Sequence, residues 1–269
     1  MKRTLSIGLF DSGIGGLTVL AAVRRLLPFE DLIYFADSRH APYGENPPEV
    51  IRERCFKICD FFQDQGVKAV VVACNTATAA AISELRSRLQ IPVVGIEPGL
   101  KPAAAASRSK IVGILATAST FRSKKFECLV QSNGNGVRVV TQPCPGLVRL
   151  IEEGRHKGEE ARGMVKGYLA PLLDQGADTI VLGCTHFPFI FDIIRELTQE
   201  TVRIIETGQP VAMQLKNRLT ELDLLNPSGK SGNLRIVSSG SVRAEAEKLH
   251  TVLEELRLEG CTVECGISC

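Results

Sequence analysis

Residues 64–74 read DQGVKAVVVAC, and residues 174–184 read DQGADTIVLGC. Five of the eleven positions are identical, and the two stretches lie a constant 110 residues apart. Each stretch is typical of a helix end, a glycine turn and a buried strand, and each then ends in a cysteine. A period this long does not fit a solenoid repeat, so the echo indicates two α/β domains related by duplication.

The same alternation of apolar strands and amphipathic helices runs along the rest of the chain. The predicted strands are Ser6–Phe10, Leu32–Phe35, Ala69–Ala73, Pro92–Ile96, Lys110–Leu115, Arg138–Thr141, Thr179–Gly183, Val202–Ile205 and Leu234–Ser238. The predicted helices include Pro47–Gln65, Ala77–Leu89, Gly158–Gln175 and Phe189–Gln199. Apolar strands that alternate with helices indicate parallel sheets covered by helices, an α/β fold with two flavodoxin-like domains.

Two stretches rich in Pro and Gly mark the expected domain crossings. Glu97–Pro102 follows the fourth predicted strand, and Thr207–Pro210 follows the eighth. We therefore expect a first domain of residues 1–97 with 208–269, and a second domain of residues 98–207.

Composition excludes several classes of protein. The 269 residues carry a formal net charge of +2, far from the clustered basicity of a nucleic-acid-binding protein. No stretch approaches the roughly 20 apolar residues of a membrane span, and the N-terminus lacks the apolar core of a signal peptide. Nine cysteines form no disulfide framework, so we expect a cytoplasmic protein with free thiols that contacts neither nucleic acid nor membrane.

Cys74 and Cys184 are the strongest candidates for chemistry. Each follows a predicted strand at the carboxyl end, where parallel α/β sheets place their sites, and a helix N-terminus there favours a thiolate. Asn75 and Thr76 suit a bound carboxylate, and His186 lies close enough to Cys184 to form an acid–base pair. Either cysteine alone is more simply a buried core residue. Their equivalent places in the echo predict two thiols that face each other across a domain interface.

Three further segments lie at predicted strand ends. The glycine turn Asp11–Gly16 matches neither a dinucleotide fingerprint nor a P-loop, and its carboxylate suits a substrate ammonium group or a simple turn cap. Pro42–Gly44 follows the second strand, close to Asp37. Thr117, Ser119 and Thr120 follow the fifth strand, where hydroxyl groups bind a carboxylate or cap a helix.

The remaining cysteines are predicted to be structural. Cys55 and Cys59 share an apolar helical face with Ile51, Ile58 and Phe62. Cys128 and Cys144 are not followed by polar residues of the kind that follow Cys74 and Cys184. The spacing of Cys261, Cys265 and Cys269 would allow metal binding on a helix, but no histidine or paired cysteine motif supports a metal site.

Taken together, these motifs resemble the glutamate racemases, which belong to the cofactor-independent aspartate/glutamate racemases. The resemblance covers nearly the whole chain. It rests on Asp11–Gly16, Asp37, Pro42–Gly44, Cys74–Thr76, Glu97-Pro98, Ala116-Thr117, Leu147–Gly154 and Gly183–His186.

The resemblance implies how the site is divided. Cys74 and Cys184 would be the two proton-transfer groups, with Cys74 acting on D-glutamate and Cys184 on L-glutamate. Asp11 and His186 would assist the respective thiols. Asp37 and Glu152 would support them. The substrate would be held by Asp11, Ser12, Pro42, Tyr43, Gly44, Asn75, Thr76, Thr117, Thr120, Thr185 and His186. The implied reaction supplies D-glutamate for peptidoglycan and uses neither pyridoxal phosphate (PLP) nor a metal.

Three alternatives remain open from the sequence. An aspartate racemase would carry the same cysteine pair, and the volume of the pocket would decide the substrate. A two-domain protein that binds a small anion would share the duplicated fold but would not need two thiols. A thiol redox or metal protein is disfavoured by the absence of a CxxC motif. The sequence does not decide whether the chain forms a homodimer.

Overall fold

The computed structural model describes residues 2–134 and 136–269, and of residues 242–244 it describes the backbone alone. Within these residues the strands are β1 (Ile7–Asp11), β2 (Leu32–Ala36), β3 (Ala69–Val72), β4 (Val93–Gly95), β5 (Ile111–Ala116), β6 (Arg138–Pro143), β7 (Thr179–Leu182), β8 (Arg203–Ile205), β9 (Leu234–Ser238) and β10 (Cys261–Cys265). The helices are α1 (Leu17–Leu26), α2 (Pro48–Asp64), α3 (Asn75–Arg88), α4 (Leu100–Ala106), α5 (Ala118–Phe121), α6 (Lys124–Asn133), α7 (Leu147–Glu152), α8 (Glu159–Leu173), α9 (Phe191–Leu197), α10 (Gly208–Glu221) and α11 (Val242–Glu255). Short 3₁₀ turns lie at Lys2–Thr4, Ser38–His40, Tyr43–Glu45 and Phe187–Ile190.

The chain divides into two compact units. Unit 1 comprises Met1–Ile96 and Gly208–Cys269, and unit 2 comprises Glu97–Thr207. Unit 1 is therefore built from two separate stretches of chain, whereas unit 2 is continuous.

Unit 1 contains a parallel sheet in the order β10-β9-β2-β1-β3-β4. Its central strands β1, β2 and β3 are buried at every position because helices cover both faces, which explains why they are mainly apolar, with Asp11 only at the end of β1. One face packs against α2 and α3 through Phe10, Phe62, Val70 and Leu85. This packing confirms the predicted core roles of Cys55 and Cys59, which are both fully buried.

Unit 2 contains a shorter parallel sheet in the order β6-β5-β7-β8. Leu100 and Ala103 of α4 pack with Val112, Ile114 and Val181 of the sheet. The strand order β6-β5-β7-β8 repeats β2-β1-β3-β4 of unit 1, and β3 and β7 begin at equivalent positions of the two similar sequences. The predicted class, two parallel sheets flanked by helices, is confirmed.

The structure corrects two expectations about the minor cysteines. Cys261 and Cys265 lie on β10, an edge strand that was not predicted, and not on a helix. Across residues 2–134 and 136–269, no three His, Cys, Asp or Glu side chains are placed to hold a metal ion. Cys128 is exposed on α6 and so does not belong to a core, whereas Cys144 is buried and contacts the Gln142 carbonyl oxygen at 3.4 Å.

Candidate active site

The carboxyl ends of β1 and β3 bring Asp11 and Cys74 to the same edge of the unit 1 sheet. The two strands are direct neighbours, with Phe10 paired in register with Val72. Helices leave such a sheet on opposite faces at this point, and the resulting crevice is where parallel α/β domains bind ligands. The topology therefore places both groups where a ligand site is expected.

The glycine turn after β1 is fixed by the Asp11 carboxylate. Its Oδ1 accepts hydrogen bonds from Ser12 Oγ and from the Gly13 backbone N–H, both at 3.1 Å. The Tyr34 hydroxyl donates to the Gly13 carbonyl oxygen at 2.6 Å. Asp11 is fully buried, so the turn holds a carboxylate in one orientation at the strand end.

Cys74 is the N-cap residue of α3. Its Sγ accepts a hydrogen bond from the Ala77 backbone N–H at 3.5 Å and lies 4.0 Å from Ser12 Oγ. The partial positive charge of a helix N-terminus stabilises a negatively charged group placed there. The thiol is thus positioned to carry a negative charge while it remains largely buried.

Asn75 follows Cys74 and carries an unusual side chain. Its amide is buried, and neither its nitrogen nor its oxygen has a hydrogen-bond partner among the described residues. Leaving a buried polar group unpaired costs about 1–3 kcal/mol, so such a group calls for a partner from outside the chain. Asn75 is therefore a candidate to bind a polar ligand beside Cys74.

Asp37 forms the centre of a second buried cluster in unit 1. Its Oδ2 accepts from the Tyr43 hydroxyl at 2.5 Å and from Arg54 Nε at 2.9 Å. Its Oδ1 contacts Ser239 Oγ at 2.8 Å, Arg54 Nη2 at 3.0 Å and His40 Nδ1 at 3.0 Å. Burial alone would raise the pKa of Asp37, but the hydrogen bonds from Arg54 and Tyr43 outweigh it and hold the pKa below its usual range.

Tyr43 connects this cluster to Cys74. Both side chains belong to the same buried core, and the 3₁₀ turn Tyr43–Glu45 contacts α3. Burial raises the pKa of Tyr43 well above its usual value, and negative charge on Asp37 adds to that rise. Tyr43 is therefore a neutral hydrogen-bond donor, and the segment Pro42–Gly44 is anchored next to the cysteine.

Unit 2 carries a chain of three functional groups. His186 Nδ1 lies 3.8 Å from Cys184 Sγ, and His186 Nε2 lies 2.7 Å from Glu152 Oε1. Burial lowers the pKa of His186, but its hydrogen bonds to Cys184 and Glu152 outweigh that effect and hold the pKa well above its usual value. The arrangement therefore favours a protonated imidazole beside the Cys184 sulfur.

Hydroxyl groups lie at the neighbouring strand end of unit 2. Thr117 follows β5 and caps α5 by accepting from the Thr120 backbone N–H at 3.2 Å, and the two hydroxyl groups are 2.9 Å apart. Gly183 donates its backbone N–H to the Leu115 carbonyl oxygen at 2.7 Å, which ties this end of β5 to the segment that carries Cys184. Thr76 in unit 1 and Thr185 in unit 2 are buried beside their cysteines.

Arg54 and Ser239 were not identified from the sequence, although both bind Asp37. The signal for Arg54 was present, because it interrupts the apolar face of α2 between Ile51 and Ile58. A buried guanidinium requires a buried anion, so a partner could have been expected. Nothing in the local sequence marks Ser239, which reaches Asp37 only through the pairing of β9 with β2.

Comparison with known proteins agrees with this fold. Residues 15–215 match the family of Asp/Glu/hydantoin racemases. The chain is 53% identical to a glutamate racemase of Pseudomonas putida (strain W619) over 225 residues, which cover 83% of this chain and 85% of that protein.

Two solved structures are similar across nearly the whole chain. A glutamate racemase isoform of Bacillus anthracis has a TM-score of 0.88 at 31% identity, covering 99% of this chain and 100% of the other. A glutamate racemase of Francisella tularensis in complex with D-glutamate has a TM-score of 0.84 at 30% identity, covering 99% and 98%.

The fold and the matched relatives define an amino-acid racemase, which is an isomerase. Within that class, the chain belongs to the Asp/Glu/hydantoin racemase family and groups with its glutamate racemases. Among the described residues, no helix has the length and apolar character needed to cross a lipid bilayer.

Proposed function

We propose that the protein interconverts L-glutamate and D-glutamate with two cysteine thiols as its acid–base groups, without PLP or a metal. One observation carries this proposal. Each compact unit places a single buried cysteine at the carboxyl end of the equivalent strand, β3 in unit 1 and β7 in unit 2, beside polar groups that support a charged sulfur. A racemase needs one proton-transfer group for each face of the α-carbon. In this proposal, Cys74 and Cys184 are those two groups.

In this mechanism the Cys184 thiolate removes the α-proton of L-glutamate, and Cys74 then donates its thiol proton to the opposite face. The C–H bond breaks towards one sulfur, and a new C–H bond forms from the other. After one turnover Cys184 is a thiol and Cys74 a thiolate, ready for the D-enantiomer. The two thiols therefore form a coupled pair that holds one proton in each working state.

His186 would support the thiolate form of Cys184 as an imidazolium group, oriented by Glu152 through its Nε2. On the other side, Asp11 and Ser12 would assist Cys74. A carboxylate near a thiolate disfavours the negative charge, so Asp11 would favour the protonated, proton-donating form of Cys74 and would also attract the substrate ammonium group. The opposite charges of His186 and Asp11 suit thiols that start in opposite protonation states.

The substrate carboxylates require several neutral donors. We assign this role to Asn75, whose amide lacks a partner in the described chain, and to the backbone of Pro42–Gly44. The hydroxyl groups of Thr76, Thr117, Thr120 and Thr185 complete the expected binding groups. We assign glutamate rather than aspartate as the substrate, because the curated relatives at about half identity are glutamate racemases. The D-glutamate formed would serve peptidoglycan synthesis.

The test is incubation with L-glutamate in D₂O without added PLP. Circular dichroism should show loss of optical activity, and NMR should show deuterium at the α-carbon. L-Aspartate in a parallel sample separates the two racemase specificities. Binding of glutamate with no α-exchange would instead indicate a protein that binds a small anion without converting it.

Cys74→Ala and Cys184→Ala should each lower the racemisation rate by roughly 10²–10⁴-fold or more, because each removes one acid–base group. Cys128→Ala is the matched control, since Cys128 is an exposed thiol on α6 and should retain the wild-type rate. Near-normal turnover by either of the first two variants would exclude the two-thiol mechanism.

A further inference from the structure

Arg54 is a buried cation that the proposed reaction does not use directly. It lies on the core-facing side of α2 with 8% of its surface exposed. Nε and Nη2 donate to the two oxygens of Asp37 at 2.9 and 3.0 Å, a bidentate pair. Nη1 donates to the Cys269 main-chain oxygen at 2.7 Å, and Nη2 also lies 3.4 Å from Cys269 Sγ.

A buried guanidinium is expensive to desolvate, and a hydrophobic residue of similar size would often stabilise the fold equally well. The bidentate geometry fixes the carboxylate plane of Asp37, which a single point charge would not do. The effect of Arg54 on Asp37 is therefore orientation as well as charge balance.

The other partners of Asp37 show what this orientation controls. Its Oδ2 receives the hydroxyl of Tyr43 at 2.5 Å, and its Oδ1 receives Ser239 Oγ at 2.8 Å. His40 Nδ1 lies 3.0 Å from the same Oδ1. These contacts occupy the acceptor capacity of both oxygens, so Asp37 serves its neighbours in the chain and has little capacity left for a substrate.

We propose that Arg54 is a positioning residue for substrate binding: it holds Asp37 in one orientation, and Asp37 in turn anchors Tyr43 and the binding segment Pro42–Gly44. This inference rests on the proposed function, which places Pro42–Gly44 against the substrate. The hydrogen bonds of Arg54 go to Asp37 and Cys269 and not to Cys74 or Cys184, so Arg54 acts on glutamate affinity more than on proton transfer. Asp37 accordingly supports binding rather than the chemical step.

The test compares Arg54→Met, Asp37→Asn and the double variant with the wild type, using both enantiomers of glutamate. Arg54→Met should raise KM roughly tenfold or more and leave kcat within about threefold, as expected when binding is lost uniformly. Arg54→Lys should give an intermediate KM because it restores the charge without the bidentate fork. Arg52→Met is the matched control, since Arg52 lies on the same helix and makes partly exposed ion pairs with Glu49 and Glu84.

The double variant separates positioning from simple stabilisation. If Arg54 acts through Asp37, Arg54→Met should raise KM little further in the Asp37→Asn background. Melting curves establish that each variant is folded at the assay temperature. If Arg54→Met or the Asp37 variants do not fold, the KM of the folded Arg54→Lys variant tests the proposal. A KM above that of the wild type supports it, and a wild-type KM contradicts it.

Three results would overturn the proposal. A folded Arg54→Met or Arg54→Lys variant with wild-type KM would remove it, and so would independent, multiplicative effects in the double variant. A loss confined to kcat would place Arg54 in the chemical step instead. If the wild type itself does not exchange the α-proton of glutamate, the proposed function fails and this inference falls with it; changes confined to the variants would affect the inference alone.

Discussion

Gly16 lies where the turn after β1 passes closest to its surroundings. A Cβ at this position would lie 2.5 Å from the Asp11 Cβ, 2.6 Å from the Tyr34 hydroxyl oxygen and 3.1 Å from the Ala73 Cβ. Asp11 carries the carboxylate that the turn positions. Only a residue without a side chain allows the turn to close over Asp11.

Gly16→Ala should therefore destabilise the fold by about 1–3 kcal/mol, the usual penalty for overpacking, and should displace Asp11. Urea denaturation and the rate of racemisation measure the two effects. Gly167→Ala is the matched control, because Gly167 is exposed on α8 and its Cβ would meet nothing within 4 Å. That substitution should stabilise the helix by about 0.5–1 kcal/mol, and an equal response of both variants would contradict the steric argument.

His186 makes the stability of unit 2 dependent on pH. Its pKa is raised in the folded state by Cys184 and Glu152, against an ordinary value of 6.5. A raised pKa means that the folded state binds the proton more tightly than the unfolded state. The stabilisation is therefore complete below pH 6.5 and is lost as the pH rises through the raised pKa.

Urea denaturation of the wild type and of His186→Gln should show this trend. The difference in unfolding free energy between them should be largest below pH 6.5 and should shrink as the pH rises through the raised pKa of His186. A difference that stays constant, or that grows with pH, would show that His186 is not held as a cation in the folded protein.

At the scale of single residues, the sequence identified groups at strand ends better than groups brought there by tertiary contacts. Cys74, Cys184 and His186 follow apolar strands directly, so the local sequence pattern is enough to identify them. Arg54 on α2 and Ser239 after β9 reach Asp37 from 17 and 202 residues away, and only the tertiary packing places them there. The roles of all these residues in catalysis stay predictions.

At the scale of elements, a buried ion pair joins β3 to the connections around it. Lys68, directly before β3, pairs with Glu30 at 2.5 Å, and both side chains are almost fully buried. Lys68 also donates to the Leu224 carbonyl oxygen at 2.9 Å, and Glu30 accepts from the Asn226 backbone N–H at 2.9 Å. The pair holds the start of the strand that carries Cys74 to the chain following α10.

Lys68→Met should cost about 3–5 kcal/mol because it leaves the Glu30 carboxylate buried without its partner. Lys57→Met is the control: the Lys57 and Glu53 side chains form an exposed pair on α2, and this variant should unfold at the wild-type urea concentration. If the two variants behaved alike, burial would not be what gives the Lys68 pair its importance.

The elements also show where local sequence stops being informative. Strands such as Ala69–Val72 and Thr179–Leu182 are continuous apolar runs, which reflect burial on both faces. Edge strand β10 reads CTVEC and is only partly buried, so it lacks that signal and was missed.

At the scale of the whole molecule, the repeated strand order agrees with the duplication expected from the sequence. Unit 2 has the order β6-β5-β7-β8 alone, whereas unit 1 extends the corresponding order by β9 and β10. The similarity between residues 64–74 and 174–184 indicated the duplication, because a buried strand and the cysteine after it occur in both segments. Strands β9 and β10 have no counterpart in unit 2, so no repeated sequence indicated that they extend the unit 1 sheet.

A fragment of residues 97–207 should fold by itself, since unit 2 is continuous and has its own sheet and core. Circular dichroism should show helix content and cooperative urea unfolding. The fragment should not racemise glutamate, because it carries only the Cys184 thiol of the proposed pair. A disordered fragment would show that unit 2 depends on unit 1, and racemisation by the fragment would show that one thiol suffices.

The discontinuity of unit 1 also bears on how the chain is made. On the ribosome, β2 emerges early, but its neighbour β9 follows only after all of residues 97–207 have been synthesised. Until then the nascent first sheet has an unpaired edge at β2, and such edges are prone to pair with other chains. Unit 2 can be complete before unit 1 closes, so the domain that begins first is the one that finishes last. Chaperone dependence during translation should therefore trace to the exposed edge of β2.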